Sequence, residues 1–284
     1  PEIMVKMLRP QEIPNLVSDG LYDVGITGKD WINETKSDVE PLIDLEYGKI
    51  KLVIAIPDTL RFKNFDQMIG EYAKKKKILR LSSEYLTNAS KFIKSCKSYK
   101  KAFGNKDPMI ITPWMRVGTN KNVQIHLSFG ATEAKPPEDV DAIMDVTETG
   151  TTLKQNGLKI IDTVMKSSAH LIANKQSLKD KNKREKIFDI VTLMSGAVEG
   201  KKYLHLYLNI KENNLKKLLK ELPSLKRPTV SPLSEKGWMG VNTVILKTDF
   251  HKLIPKLRKI AQGIVVHETR QILQLEEIKR DEEN

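Results

Sequence analysis

Short apolar runs separated by helix-like segments constrain this chain more than any other feature. Strand-like runs fall at Asp23 to Thr27, Lys51 to Pro57, Ile78 to Ser82, Val123 to Ser128, Ala142 to Val146, and Lys159 to Lys175. Helix-like segments lie between them at Pro10 to Ser18, Asn64 to Lys75, Asn88 to Tyr99 and Thr152 to Asn156. Strands alternating with helices imply an α/β sheet, here expected to be largely parallel. Ile3 to Val5 also reads as a strand. After Gly200 the pattern changes. Tyr203 to Ile210 alternates as a strand and Asn213 to Leu222 is an amphipathic helix. Thr229 to Leu233 and Val241 to Lys247 are strands, Phe250 to Ile260 is a helix, and Ile264 to His267 is a last strand. The order β-α-β-β-α-β is that of a ferredoxin-like α+β domain. The charged tail from Glu276 to Asn284 is expected to fray.

The 284 residues suggest two or three domains, and 39% hydrophobic content is enough for packed cores. No apolar run is long enough for a bilayer span and no signal-peptide pattern opens the chain, so no membrane role is expected. The one cysteine, Cys96, excludes an intrachain disulfide and makes cytoplasmic residence the default. Without a neighbouring His it reads as an ordinary thiol. The net charge is +12, concentrated at Lys74 to Lys77, Lys91 to Lys106 and Lys179 to Lys186. These runs are poor in aromatics, unlike platforms for single strands, and read as solvated faces that attract nucleotides and polyphosphates rather than nucleic acid. His126, His170, His205, His251 and His267 show no metal-ligand spacing.

The chemistry concentrates between Asp141 and Leu158. An apolar strand runs into Thr147-Glu148-Thr149-Gly150-Thr151-Thr152, and a helix follows. Backbone N–H groups, hydroxyls and a helix N-terminus can cradle a phosphate. The plainer reading is a Thr-capped helix after a strand. Asp145 and Glu148 beside the loop suit ribose hydroxyls or a magnesium ion.

Four ordered motifs carry a resemblance. Asp141-Ala142-Ile143-Met144-Asp145, Thr149-Gly150-Thr151-Thr152-Leu153 and Asn156-Gly157-Leu158 together resemble the signature of ATP phosphoribosyltransferase. Arg9-Pro10-Gln11-Glu12-Ile13-Pro14, Gly20 to Asp30 with its Thr27-Gly28-Lys29-Asp30 end, and Ser128 to Pro136 are similar to three further segments of that family. The resemblance covers most of the chain. It departs at Leu86-Thr87-Asn88, where the family has Pro-Asn, and at Tyr99 to Asn120, a basic insertion with Trp114 read as a surface loop or oligomer contact. The family's opening strand and basic Lys-Gly-Arg-Leu loop do not appear ahead of Pro1; an exposed sheet edge and an incompletely folded or inactive chain are expected, unless that segment is simply not included in the sequence.

The resemblance implies a two-lobed catalytic core of the periplasmic-binding-protein type II kind, with the site in the cleft, followed by the ferredoxin-like (ACT-like) domain of long-form members. Residues 1–56 and 166–195 would form lobe one, 57–165 lobe two with the phosphoribosyl pyrophosphate loop, and 200–284 the regulatory domain. It implies the first step of histidine biosynthesis: adenine N1 of ATP attacks phosphoribosyl pyrophosphate and pyrophosphate leaves. Arg9 would contact the pyrophosphate, or is a surface arginine. Asp145 would accept from ribose hydroxyls and touch Mg2+ through the substrate. Glu148 would assist, or only favour a helix N-terminus. Thr149, Gly150, Thr151 and Thr152 would hold the 5-phosphate. Asp30 would bind a nucleotide hydroxyl, or cap a helix at Trp31; Glu84, Tyr85 and Glu133 complete the substrate set. Free histidine would inhibit from a pocket with Asn209, Leu225 and Gly263. The neutral Asn209, where relatives can be acidic, predicts weaker inhibition. A homo-oligomer, dimer or hexamer, is expected. The competing reading is a two-lobed small-anion or amino-acid binding protein without catalysis, which the fold alone permits.

Overall fold

In the computed structural model, which describes residues 3–222 and 228–273, the chain divides into two units after Arg184. The first unit opens with α1 (Ile13–Ser18), β1 (Val24–Gly28), α2 (Lys29–Thr35) and β2 (Val39–Asp44). It continues through β3 (Ile50–Pro57), α3 (Phe65–Lys74), β4 (Leu79–Ser83), α4 (Leu86–Ser95) and α5 (Lys97–Phe103). Then come β5 (Pro108–Ile111), β6 (Arg116–Val117), β7 (Asn120–Leu127), β8 (Ala142–Thr147), α6 (Thr151–Gln155), β9 (Leu158–Ser167) and β10 (Ala169–Asn174). Helix α7 (Lys181–Gly200) leads into the second unit.

Two sheets make two lobes. The small one has the order β1-β10-β2 and is antiparallel. The large one has the order β6-β5-β7-β4-β8-β3-β9. Its centre, β5-β7-β4-β8, is parallel, but β3 runs against both β8 and β9, and β6 runs against β5. The sheet is therefore mixed rather than largely parallel. The reason is the crossing: β3 starts where the chain enters this lobe and runs away from that end, while β8 and β9 run towards it.

The crossings also revise the expected boundaries. β3 belongs wholly to the large sheet, so the lobes change between Asp44 and Ile50, not after residue 56. The expected strand from 159 to 175 breaks at Ser168, with β9 in one sheet and β10 in the other. The two crossings lie side by side: Leu45 N–H donates to the Ala169 carbonyl (2.9 Å) and Ala169 N–H to that of Tyr47 (3.0 Å).

Both faces of β3 are buried, which is why it reads as an almost unbroken apolar run. Leu52, Ile54 and Ile56 pack with Phe65, Met68 and Ile93 under the helices, and Val53 and Ala55 pack with Leu153 and Leu158 on the other face. The single helix expected over Asn88 to Tyr99 is two, because Cys96 is extended (φ −63, ψ 134). Burial pushes the Cys96 thiol up to about 12, which keeps it inert at neutral pH. The insertion from Tyr99 to Asn120 is not a loop. It adds β5 and β6 to the sheet edge, pinned by the buried Tyr99, which donates to the Lys106 carbonyl (2.6 Å) and accepts from Asn120 Nδ2 (3.0 Å). Ile3 to Val5 form no strand, and Met4 and Met7 are 90% and 92% exposed, for these residues pair with no neighbouring strand.

The second unit contains β11 (Tyr203–Lys211), α8 (Leu215–Glu221), β12 (Thr229–Pro232), β13 (Trp238–Leu246), α9 (Lys247–Leu257) and β14 (Ala261–Glu268). The order β12-β13-β11-β14, all antiparallel, is the ferredoxin-like arrangement. Leu204, Leu206, Leu208 and Ile210 alternate into its core with Leu218, Val241 and Leu257. Leu225 and the charged tail from Glu276 lie outside the described residues.

Candidate active site

The carboxyl ends of β4, β7 and β8 and the crossing ends of β3 and β9 meet at one end of the large sheet. In α/β folds that end is where ligands bind. Asp145 and Thr147 lie two residues apart on β8 and so share a face, and Thr147 pairs with Lys51, which pairs with Lys166. Burial pushes the Asp145 carboxyl up to about 6. The Val146 N–H donates to it (2.7 Å) and opposes the rise, while the negative charges of Glu133 and Glu84 add to it. Glu84 and Glu133, two other expected site carboxylates, thus lie near enough for their charge to act on Asp145. The positive charge of Lys135, which the sequence did not single out, offsets part of the Asp145 rise. Its ammonium donates to Ser128 (2.6 Å) and Ser82 (3.3 Å), bridging β7 and β4.

The loop after β8 has a defined shape. Gly150 sits at φ +84, a left-handed conformation natural to glycine, and its N–H donates to Thr147 Oγ1 (2.8 Å). Thr149 and Thr151 hydroxyls bond to each other (2.8 Å), and Thr149, Thr151 and Thr152 are exposed at the start of α6. Glu148, also exposed, lines a cavity of about 450 Å³ with Lys29, Lys49, Lys51 and Lys166.

Asp30 and Tyr85, expected as separate substrate contacts, are bonded to each other across the lobes. The Tyr85 hydroxyl donates to the buried Asp30 carboxylate (2.7 Å), and Ser167 Oγ donates to its other oxygen (2.5 Å). Burial and then the Asp30 charge push the Tyr85 phenol strongly upward, so it stays a donor. Trp31 stacks on Tyr85 with centroids 4.4 Å apart. Glu34 of α2 accepts from the Thr87 and Asn88 N–H groups (2.8 and 2.9 Å), capping α4 from the opposite lobe. Trp31, Glu34 and Ser167 were missed because their partners lie 53 residues or more away in the chain. Arg9 is exposed and contacts none of these groups. Its neighbour Pro10 is held at the end of β1 by the Thr27 hydroxyl (2.8 Å).

In the second unit Asn209 pairs with Gly263 on β14 and with Gly240 on β13. Its Oδ1 is buried without a partner. Gly263 beside this unmet acceptor leaves open space for a small donor-bearing ligand, whereas Gly240 is packed against Tyr207 and Leu233.

Comparison with known proteins decides the family. A family described as ATP phosphoribosyltransferase matches residues 9–196, and its C-terminal domain, described as HisG, C-terminal domain, matches 200–271. The chain belongs to the ATP phosphoribosyltransferase family. The ATP phosphoribosyltransferase of Solibacter usitatus is 37% identical over 96% of this chain and 86% of its own length. That of Chlorobium chlorochromatii is 34% identical over 93% and 81%. A Thermotoga maritima ATP phosphoribosyl transferase (HisG:HisZ) complex covers 65% of this chain and 74% of its own at 22% identity, with a TM-score of 0.49. As a member of the family the chain is a pentosyltransferase: it joins ATP to phosphoribosyl pyrophosphate, the first step of histidine biosynthesis. The reading as a binding protein without catalysis is set aside on these matches. Among the described residues no helix is long and apolar enough to cross a membrane.

Proposed function

We propose that Asp145 and the loop from Thr149 to Thr152 hold the phosphoribosyl group, with adenine approaching from the Asp30–Tyr85 side of the cleft. The observation that carries this is the half-buried Asp145 set beside a hydroxyl-lined turn on the carboxyl end of β8. The hydroxyls of Thr149, Thr151 and Thr152 and the N–H groups opening α6 donate to the 5-phosphate. Asp145 accepts from the ribose hydroxyls. As the adenine N1 lone pair forms its bond to C1, the bond from C1 to the diphosphate oxygen breaks and the electron pair leaves with pyrophosphate. Positive charge grows on the ribose, where the carboxylates of Asp145, Glu84 and Glu133 stabilise it, and negative charge grows on the diphosphate, which Lys135 and Arg9 meet. Glu148 is assigned to the same cleft through its place beside the loop.

Among the described residues no three carboxylate, imidazole or thiolate groups are gathered to hold a metal alone. One half-buried carboxylate, Asp145, fits a magnesium ion that arrives on the diphosphate and keeps most of its oxygen ligands from substrate and water. When bound, it neutralises diphosphate charge.

The second unit is proposed to bind free histidine and inhibit. The buried, unpartnered Asn209 Oδ1 between Gly240 and Gly263 supports an amino-acid ammonium at that position. A homo-oligomer and cytoplasmic residence accompany this reading. The test is an absorbance assay for adenine N1-ribosylation with ATP, phosphoribosyl pyrophosphate, magnesium and pyrophosphatase, with and without histidine. Turnover suppressed by histidine is expected. Turnover indifferent to histidine removes the regulatory reading, and loss of turnover in Thr149→Val with Thr152→Val that extra phosphoribosyl pyrophosphate restores supports the loop.

A further inference from the structure

The cavity beside Glu148 has a composition the scheme above does not use. It is lined from both lobes, by Lys29, Asp44 and His170 on one side and by Lys51 and Lys166 on the other, with Lys49 on the crossing. Four ammonium groups face two carboxylates, Asp44 and Glu148. Asp44 is already engaged: it accepts from Ser168 Oγ (2.8 Å) and from the Glu46 N–H (2.8 Å). Burial opposes its charge, but these donors, with the charges of His170 and Lys49, hold its carboxyl below the usual range. Lys49 lies 4.0 Å from Glu46, the limit of an ion pair. Lys51 and Lys166 stand directly opposite each other on β3 and β9. Like charges in that relation repel. Among the described residues Lys29, Lys51 and Lys166 make no ion pair.

We infer that Lys51 and Lys166, with Lys29 and Lys49, form the seat for the triphosphate of the ATP substrate. This rests on the reading of the Thr149–Thr152 loop as the 5-phosphate site. Two cationic places then flank the ribose, and the C1 displacement needs nucleophile and leaving group on opposite sides. Lys135 acts on Asp145 in company with the negative charges of Glu84 and Glu133. Those carboxylates repel a bare polyphosphate and suit a diphosphate carrying a metal. The lysine cavity is poor in free carboxylates and suits a polyanion directly. A triphosphate seated there draws Lys29 of one lobe towards Lys51 and Lys166 of the other, so tight ATP binding and lobe closure become one event. A nucleoside monophosphate lacks the charge to do this.

The test is Lys51→Met with Lys166→Met in the full chain. Replacing two charge-assisted contacts raises the KM for ATP about tenfold or more. The KM for phosphoribosyl pyrophosphate and the affinity for adenosine monophosphate stay within about twofold, a change too small to count as a lost contact. Calorimetric titration with inorganic tripolyphosphate shows binding to the parent chain, loss in the double variant, and recovery in Lys51→Arg with Lys166→Arg. An unchanged KM for ATP overturns the inference, and so does a rise confined to phosphoribosyl pyrophosphate, which would assign the cavity to its diphosphate. If the parent chain does not turn over, the reaction scheme fails on its own, and the tripolyphosphate titration still decides the seat.

Discussion

Two aspartates four residues apart do different work. Asp141 opens β8 and pins it to β4: its carboxylate accepts from the Arg80 N–H (2.8 Å) and from both arms of the Arg80 guanidinium (3.3 Å each). Asp145, at the other end of the strand, has one backbone donor and sits half-buried among other carboxylates. Asp141→Asn is expected to cost about 1 kcal/mol in chemical denaturation, the low end for a charged hydrogen bond because Arg80 is partly exposed. Turnover per folded molecule should survive it. Asp145→Asn should do the reverse. It lowers kcat/KM roughly a hundredfold, as loss of an electrostatic stabiliser does. It also raises the melting temperature at pH 8, because the folded carboxyl titrates near 6 and the unfolded one near 3.8. Between those values the folded state holds the extra proton, so the parent chain loses stability as pH rises through that window and no further above it. The gain from Asn should therefore be full above pH 6 and vanish below about pH 4, which melting curves across that range check. The sequence revealed Asp145 as a candidate through its place on an apolar strand, but not the charges that act on it, since Lys135 and Glu84 come from distant segments of the chain.

At the scale of elements, α4 depends on its neighbour. Its first residues have no side-chain cap of their own, and Glu34 of α2 serves from the other lobe. Burial raises the Glu34 carboxyl even against the N–H donors, which shows how far it is removed from water. Glu34→Ala should lower stability by about 1–2 kcal/mol, the cost of an uncapped helix start, and speed hydrogen exchange at Thr87 and Asn88. Unchanged exchange there would sink the cap. The turn before α6 is set by Gly150. An alanine at φ +84 costs about 1 kcal/mol, and its Cβ would stand 3.4 Å from Ile160. Gly150→Ala is expected to raise the KM for phosphoribosyl pyrophosphate more than that for ATP in steady-state kinetics. The glycine and threonines were legible as a turn before a helix, whereas the break at Cys96 and the strands within the insertion carried no local signal strong enough to reveal them.

At the scale of the whole molecule, a charged Asn209→Asp should strengthen inhibition by histidine, since a carboxylate meets an ammonium better than an amide oxygen does. Equal inhibition curves for the two chains would count against the pocket. What the sequence determined alone is what depends on near neighbours: the alternation of strand and helix, the hydroxyl turn after Asp145, and the β-α-β-β-α-β order of the second unit, whose apolar residues fall every second place on β11. Tertiary structure decided the rest. The direction of β3 follows from where the chain crosses between lobes. Asp30 meets Tyr85 and Ser167 only because two lobes close on them, and Lys51 meets Lys166 only through the pairing of β3 with β9. Local pattern sets which face of an element is buried, but pairing between distant segments sets which charges share a cavity, and no local propensity encodes that.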